Sequence, residues 1–237
     1  SSAASDVYKR QQMNSIEIKN VVLRHGADIC GIAPVNRFTD APKGFHPVDI
    51  FDKCRSVIVY AKAMPSGSNT AQNCIPYTYM NQMITQEVDK LTFKLCIEFE
   101  KSGMHVVPIP SDDPYEYWLE EEQCGRAILS LRHAGYLAGL GVLGKNTLLM
   151  NDRFGNMIQL GAVLSDAILD GDPLADYEGC LNDCTICLEE CPLNALDGKA
   201  VNQKLCRSLS NFRHEKGYVL KKCNTCRTSC PFCTGIN

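Results

Sequence analysis

Nine of the chain's fourteen cysteines lie between Cys180 and Cys233, in two runs that each contain a cysteine-proline step. The first run reads Cys180-x3-Cys184-x2-Cys187-x3-Cys191-Pro192. The second supplies Cys206 and then Cys223-x2-Cys226-x3-Cys230-Pro231. Both contain C-x2-C-x3-C-P, close to the bacterial ferredoxin run, in which neighbouring thiolates wrap one cubane and the cysteine before proline reaches across to the other. By that logic Cys180, Cys184, Cys187 and Cys230 hold one cluster, and Cys206, Cys223, Cys226 and Cys191 hold the second. The expected module is ferredoxin-like, with two 4Fe-4S clusters. Its first gap is three residues where the usual run has two, and Cys233 competes with Cys230 from the same short turn, so that ligand stays open.

A zinc site would take two C-x2-C pairs around a tetrahedral ion, Cys184/Cys187 with Cys223/Cys226. It leaves Cys180, Cys191, Cys206, Cys230 and Cys233 without a role. Disulfides belong to small secreted chains, whereas this one has 237 residues and shows no charged-then-apolar signal segment. Cys30, Cys54, Cys74, Cys96 and Cys124 are scattered singly and read as small buried hydrophobes. No stretch approaches the roughly 18 uninterrupted apolar residues of a membrane helix. The expectation is a soluble, cytoplasmic protein with no membrane partner.

The residues ahead of the cysteines alternate between helical and strand patterns. Residues 1-12 have no apolar periodicity and read as a leader, with Met13 as the natural start. Residues 16-25 read as a helix, 27-34 as a strand closed by Pro34, and 56-65 as a strand whose unbroken apolar run implies burial on both faces. Ile84, Val88, Leu91, Leu95 and Phe99 step by three and four, a helical stripe ended by Gly103. A strand over 104-110, a helix over 124-138, and a strand pair around 148-150 and 157-165 follow. The fold class is α/β or α+β: an α/β layered domain over 13-166, then the cysteine module over 167-237, with the acidic, turn-rich segment 166-179 between them.

Net charge is -3 and the isoelectric point near 6.0, so there is no general attraction to nucleic acid. Lys204, Arg207, Arg213, Lys216, Lys221, Lys222 and Arg227 nevertheless stand against the single acid Glu215. They read as local counterions to negative clusters, or as a docking face for an acidic partner or RNA.

Gly139-Leu140-Gly141-Val142-Leu143-Gly144-Lys145-Asn146 matches both the dinucleotide pattern G-x-G-x-x-G and the phosphate-loop pattern G-x4-G-K. Neither context fits: the residues before it look helical, and Asn146 stands where the phosphate loop needs Ser or Thr. A tight structural turn and a site for another cofactor remain.

With both features placed, the chain resembles the epoxyqueuosine reductases and their cobalamin-dependent relatives, the reductive dehalogenases. The resemblance is carried by ADICGIAP, FHPVDIFDKCRSVIVYAKAMP, RHAGYLAGLGVLGKNTLLMNDRFGNMIQLGAVLSD, CTICLEECPLNAL and CNTCRTSCP, and runs over most of 27-231. It implies a nitroreductase-like α/β domain, a ferredoxin-like domain, and a cobalamin between them whose cobalt is reduced by the nearer cluster. It places Gly139, Leu140, Gly141, Gly144, Lys145 and Asn146 against the corrin, where glycines would allow close main-chain approach.

Two departures stand out. Family members carry an acidic proton donor shortly before the glycine turn, where this chain reads Gln123-Cys124-Gly125-Arg126. They also continue into a helical-repeat domain that grips tRNA, whereas this chain stops at Asn237, which makes tRNA an unexpected partner. Asp112, Asp113, Tyr115, Tyr117, Glu121 and Glu122 are the possible replacement donors, so the catalytic group is left unassigned. His133 reads as a core histidine, and Trp118, the sole tryptophan, as a packing anchor. The resulting expectation is an iron-sulfur oxidoreductase that passes electrons from two 4Fe-4S clusters to a cobalamin for reduction of a small substrate. The alternatives are an electron-transfer protein that reduces a partner's corrinoid, and a cluster module joined to a flavin-binding domain.

Overall fold

The computed structural model describes residues 13-121 and 124-236; the expected leader, Glu122 and Gln123 lie outside the described residues. In chain order the elements are α1 (Ser15–Arg24), β1 (Ile29–Pro34), the single turn α2 (Pro47–Ile50), β2 (Ser56–Ala63), α3 (Ile75–Lys101), β3 (Val106–Ile109), the hairpin β4 (Tyr117–Leu119) and β5 (Cys124–Arg126), α4 (Leu131–Leu137), β6 (Val142–Leu143), β7 (Leu149–Met150) and β8 (Ile158–Ser165). The cysteine region adds α5 (Ile186–Glu189), α6 (Gln203–Ser210), β9 (Phe212–Arg213), β10 (Val219–Leu220) and α7 (Thr225–Thr228). No helix among the described residues is long and apolar enough to cross a membrane.

Local chemistry explains the first helix. Asn14 accepts from the Ile16 and Glu17 amides while the Glu17 carboxylate accepts from the Asn14 amide, a reciprocal box that satisfies otherwise unpaired donors. The main sheet has the order β1-β2-β8-β3, and every neighbouring pair is antiparallel. Helix-strand alternation in the sequence carries no information on strand direction. The fold is therefore mixed α/β on an antiparallel sheet, not a sheet of parallel crossovers.

Strand β2 sits at the centre of this sheet, and its alternation divides the core in two. Val57, Val59 and Ala61 face one side with Ala162, Leu164, Ala134 and Ala138. Ile58 and Tyr60 face the other with Ile18 and Val22 of α1 and with Val88, Leu91, Leu95 and Phe99 of α3. All five β2 side chains are fully buried, and a period of two delivers both sets from one unbroken apolar run. Burying each large aliphatic or aromatic side chain is worth about 1.5–3 kcal/mol. The Tyr60 hydroxyl, buried in the second layer, donates to Thr92 Oγ1 (2.6 Å) and so costs no unpaired polar group.

Two expected elements take other forms. The helix expected over 124-138 begins only at Leu131, because residues 124-126 pair with 117-119 as a hairpin. The strand at 149-150 pairs with 142-143 and closes the glycine turn, whereas β8 pairs with β2 and β3.

The acidic segment beyond β8 is laced to the sheet half. Its Leu169 amide donates to Ser56 Oγ and its Asp170 amide to Ser15 Oγ. Asp172 accepts the Ile32 amide (2.9 Å) and pairs with Lys19, while Arg37 donates to the Asp172 carbonyl. The Asp172 carboxylate is thereby neutralised within the fold.

Candidate functional site

Cys180, Cys184, Cys187 and Cys230 line one cavity, together with Asn146, Met150 and Phe232. Three of these thiols come from the first run around α5 and the fourth from the second run, after α7. Burial raises the pKa of Cys187, and the thiols of Cys180, Cys184 and Cys230 push it the same way. Cys230 is likewise raised first by burial, with Cys180 and Cys184 adding to it. Cys233 faces elsewhere. It packs against the layer of Met64, Tyr77, Ile84 and Met157, within reach of the Asn69 amide (3.9 Å).

Cys206, Cys223 and Cys226 form a second neighbourhood. Burial first, with Cys206 and Cys223 adding to it and the Arg227 guanidinium opposing, raises Cys226 to about 11. Cys191 is tied to its own turn, its Sγ accepting the Ala195 amide (3.3 Å). Two buried donors in this run, Arg227 Nη1 and Ser229 Oγ, have no hydrogen-bond partner. Unpaired buried donors beside thiolates suit a ligand with acceptor sulfurs. Among the described residues no three histidine, cysteine or carboxylate side chains form a group that could hold a single metal ion. In a cubane each thiolate binds a different iron, so its four sulfurs stand farther apart than the ligands of one ion.

The glycine turn lies against these loops. Lys145 donates its backbone N–H to Cys180 Sγ (3.4 Å) and its ammonium to the carbonyls of Asn182 (3.2 Å) and Cys184 (2.9 Å). Asn146 is 3% exposed, and its Nδ2 donates to the Cys226 carbonyl (3.0 Å). Leu140 belongs to the core layer beneath the sheet. Gly139 adopts φ +74°, and a Cβ there would lie 2.1 Å from the Pro173 carbonyl oxygen; a Cβ on Gly141 would lie 2.2 Å from that of Met150. The chain's own backbone, not open space, makes both residues glycine. A Cβ on Gly144 would come within 2.8 Å of Asn146 Oδ1.

The segment ahead of α4 folds onto α6. Gln203 exchanges hydrogen bonds with the Gly125 amide and carbonyl (both 3.1 Å), and Lys204 donates to the Glu121 carbonyl. The Arg207 guanidinium lies 5.3 Å from the Tyr115 ring centroid and 5.0 Å from that of Trp118. Trp118 is thus a half-exposed platform for a cation, not a buried packing anchor. The Tyr115 hydroxyl donates to Asp112 (2.7 Å), and burial, helped by that carboxylate, pushes its pKa up to about 12. Tyr117 packs on Phe45. His133 is exposed and shares a hydrogen bond with Ser130 Oγ (2.7 Å), so it is not a core residue. Glu122, also considered as a donor, lies outside the described residues. Of the basic residues, Arg207 and Lys204 hold this segment and Lys222 covers the Phe212 ring, which favours local roles over a free docking face. Sequence reading missed Gln203 and Arg207 as clamps, since their partners lie about eighty to ninety positions upstream and leave no local pattern.

No protein-family profile matches the chain. Over 121 residues it is 36% identical to the epoxyqueuosine reductase of Staphylococcus aureus, a stretch covering 46% of this chain and 31% of that protein. The corresponding protein of Lactococcus garvieae is 34% identical over 111 residues, covering 42% of this chain and again 31% of the relative. The match thus spans about a third of the length of these curated relatives. Among solved structures, epoxyqueuosine reductase from Streptococcus thermophilus superposes with a TM-score of 0.65 at 19% identity, covering 94% of this chain and 66% of that one. A catabolic reductive dehalogenase in complex with 3-bromo-4-hydroxybenzoic acid gives 0.69 at 15% identity, covering 93% and 32%. At such identities the likeness shows a common fold, which is the mixed α/β arrangement described above.

Proposed function

We propose that this chain, a relative of the epoxyqueuosine reductases and the reductive dehalogenases, is an iron-sulfur oxidoreductase that relays electrons through two 4Fe-4S clusters to a cobalamin for reduction of a small substrate. In this reading residues 13-166 form a nitroreductase-like cofactor-binding domain and 167-237 a ferredoxin-like domain. The observation that carries it is the cavity lined jointly by Cys180, Cys184, Cys187 and Cys230. A thiol from the second run, reaching among three from the first, is the crossing that a two-cluster ferredoxin module requires.

Cys180, Cys184, Cys187 and Cys230 would hold one cluster and Cys206, Cys223, Cys226 and Cys191 the other. The unpaired donors of Arg227 and Ser229 fit such groups, because hydrogen bonds to cluster sulfur and nearby cations tune the potential. Bound, the clusters supply one-electron transfer, and a cobalamin supplies a low-valent cobalt as reductant. The chain's own part is to hold the thiols in two sets, to place cations beside them, and to lay the segment that Arg207 clamps on α6, the helix that carries Cys206. Cobalamin enters from the relatives, one of which is a reductive dehalogenase whose structure is described as suggesting a mechanism for B12-dependent dehalogenation.

The test is purification without oxygen, determination of iron and acid-labile sulfide, and titration with cobalamin and with flavin while recording their absorption. About eight irons per chain, matched by sulfide, is the expected result. Zinc without sulfide overturns the cluster reading. Full clusters with an unchanged cobalamin spectrum overturn the cobalamin step and favour an electron carrier for a partner's redox centre.

A further inference from the structure

Adjacent residues of the glycine turn hold different cysteine runs. Lys145 binds the Asn182 and Cys184 carbonyls and the Cys180 sulfur, all in the first run. Asn146 donates to the Cys226 carbonyl in the second run, 80 positions away, while its Oδ1 accepts the Leu148 amide and so fixes its orientation. Two distant loops are thereby pinned to Cα atoms about 3.8 Å apart. The turn itself cannot slide: Gly144 donates to the Leu148 carbonyl, Thr147 donates back to the Gly144 carbonyl, and β6 pairs with β7 on either side.

A crossed cluster needs more than correct spacing within each run. The C-x2-C turns set distances among neighbouring thiols, but nothing local sets the offset that brings Cys230 to Cys180, Cys184 and Cys187. Resting on the proposed cluster reading, we infer that Lys145 and Asn146 are positioning residues that register the two runs against each other, Lys145 acting on the set closed by Cys230 and Asn146 on the set of Cys206, Cys223 and Cys226. Lys145 also brings a positive charge and an N–H to the first set. Both favour the more negative, reduced state of a bound cluster and so raise its potential. Asn146 brings neither to the second set; it fixes that loop through a neutral amide.

The residue-to-cluster pairing makes the inference testable. Wild type, Lys145→Met, Lys145→Arg, Asn146→Asp and the exposed control Lys199→Met are reconstituted without oxygen, assayed for iron and sulfide, and titrated redox-potentiometrically by EPR. Cys187→Ser and Cys226→Ser assign each signal to its cysteine set. Lys145→Met is expected to lower the midpoint of the first-set signal by a tenfold change in its reduction equilibrium, ~59 mV for one electron. Its second-set signal stays, and Lys145→Arg restores most of the shift. Asn146→Asp, which places a carboxylate against the Cys226 carbonyl, is expected to shift or remove the second-set signal and to move the first-set signal, whose cavity Asn146 also lines, by less. Lys199→Met changes neither. The inference is overturned if both substitutions move both signals equally, if neither moves any, or if the metal-free variants melt far below the metal-free wild type, since each result marks general packing rather than registry. A wild type that takes up no iron or sulfide instead sinks the cluster reading beneath it.

Discussion

Gly139→Ala distinguishes a glycine kept for the fold from one kept for a cofactor. Gly139 adopts φ +74°, and its would-be Cβ falls 2.1 Å from the Pro173 carbonyl oxygen. An L-residue in the left-handed region costs about 1–2 kcal/mol, and forcing extra carbon into a filled site costs about 1–3 kcal/mol more. The two together give about 2–5 kcal/mol, and a chain of this size loses roughly 2–4 °C of Tm per kcal/mol, so a fall near 10 °C is expected. The assay is thermal unfolding followed by circular dichroism, on chains kept reduced and metal-free so that no cofactor contributes. Gly67→Ala, with nothing within 4 Å of its would-be Cβ, serves as the control and should stay within about 0.5 kcal/mol of wild type. If Gly139→Ala melts with the control yet loses cobalamin binding, the packing argument is refuted and the turn faces a cofactor after all.

The remaining predictions address the cysteines and the clamped segment. Cys230→Ser should halve the iron bound after reconstitution while Cys233→Ser retains it, because Cys230 lines the thiol cavity and Cys233 packs against Met64 and Met157; equal losses from the two would refute the assignment. Arg207→Ala should loosen the stretch around Tyr115 and Trp118 at a cost of about 0.5–1 kcal/mol for each lost cation–π contact. Trp118 is the sole tryptophan, so increased acrylamide quenching with unchanged far-ultraviolet circular dichroism reads this directly. Burial raises Cys54 from 9.0 to about 11. Its neutral thiol therefore contributes stability in full below pH 9, and the contribution disappears as pH rises toward 11. Two pH units correspond to roughly 3 kcal/mol at most. The metal-free melting temperature should fall over that interval, and less so in Cys54→Ala.

What could be read in advance follows the range of the forces involved. Strand β2 was legible because continuous β-branched residues carry their own signal, and the α3 stripe because its period is local. Strand direction was not, since it depends on how distant segments meet: Ser56 pairs with Ser165 through contacts that leave no trace near either. Residues 124-126 look helical next to Ala127 and Leu129, but Gln203, 78 positions away, holds Gly125 at both its amide and its carbonyl. The cysteine spacings announced two groups of thiols and offered both Cys230 and Cys233; only the packing of Cys233 on the sheet half separates them. The glycine turn was conspicuous, yet apart from the Cys180 sulfur its partners across to the cysteine runs are carbonyls, and carbonyls are the same in every residue.

The cavity's fourth thiol has a consequence for how the molecule is made. Cys187 and Cys230 lie on opposite sides of α6, the β9–β10 hairpin and α7, and synthesis proceeds from the N-terminus at about 5–20 residues per second. A nascent chain that has emerged from the ribosome only through Cys187 therefore offers three of the cavity's thiols and lacks Cys230 for seconds, with Cys191 as the nearest substitute in the meantime. On the proposed cluster reading those sulfurs would stand open to oxidants and to competing metals until Cys230 appears, so the order of translation would itself bear on what the first site captures.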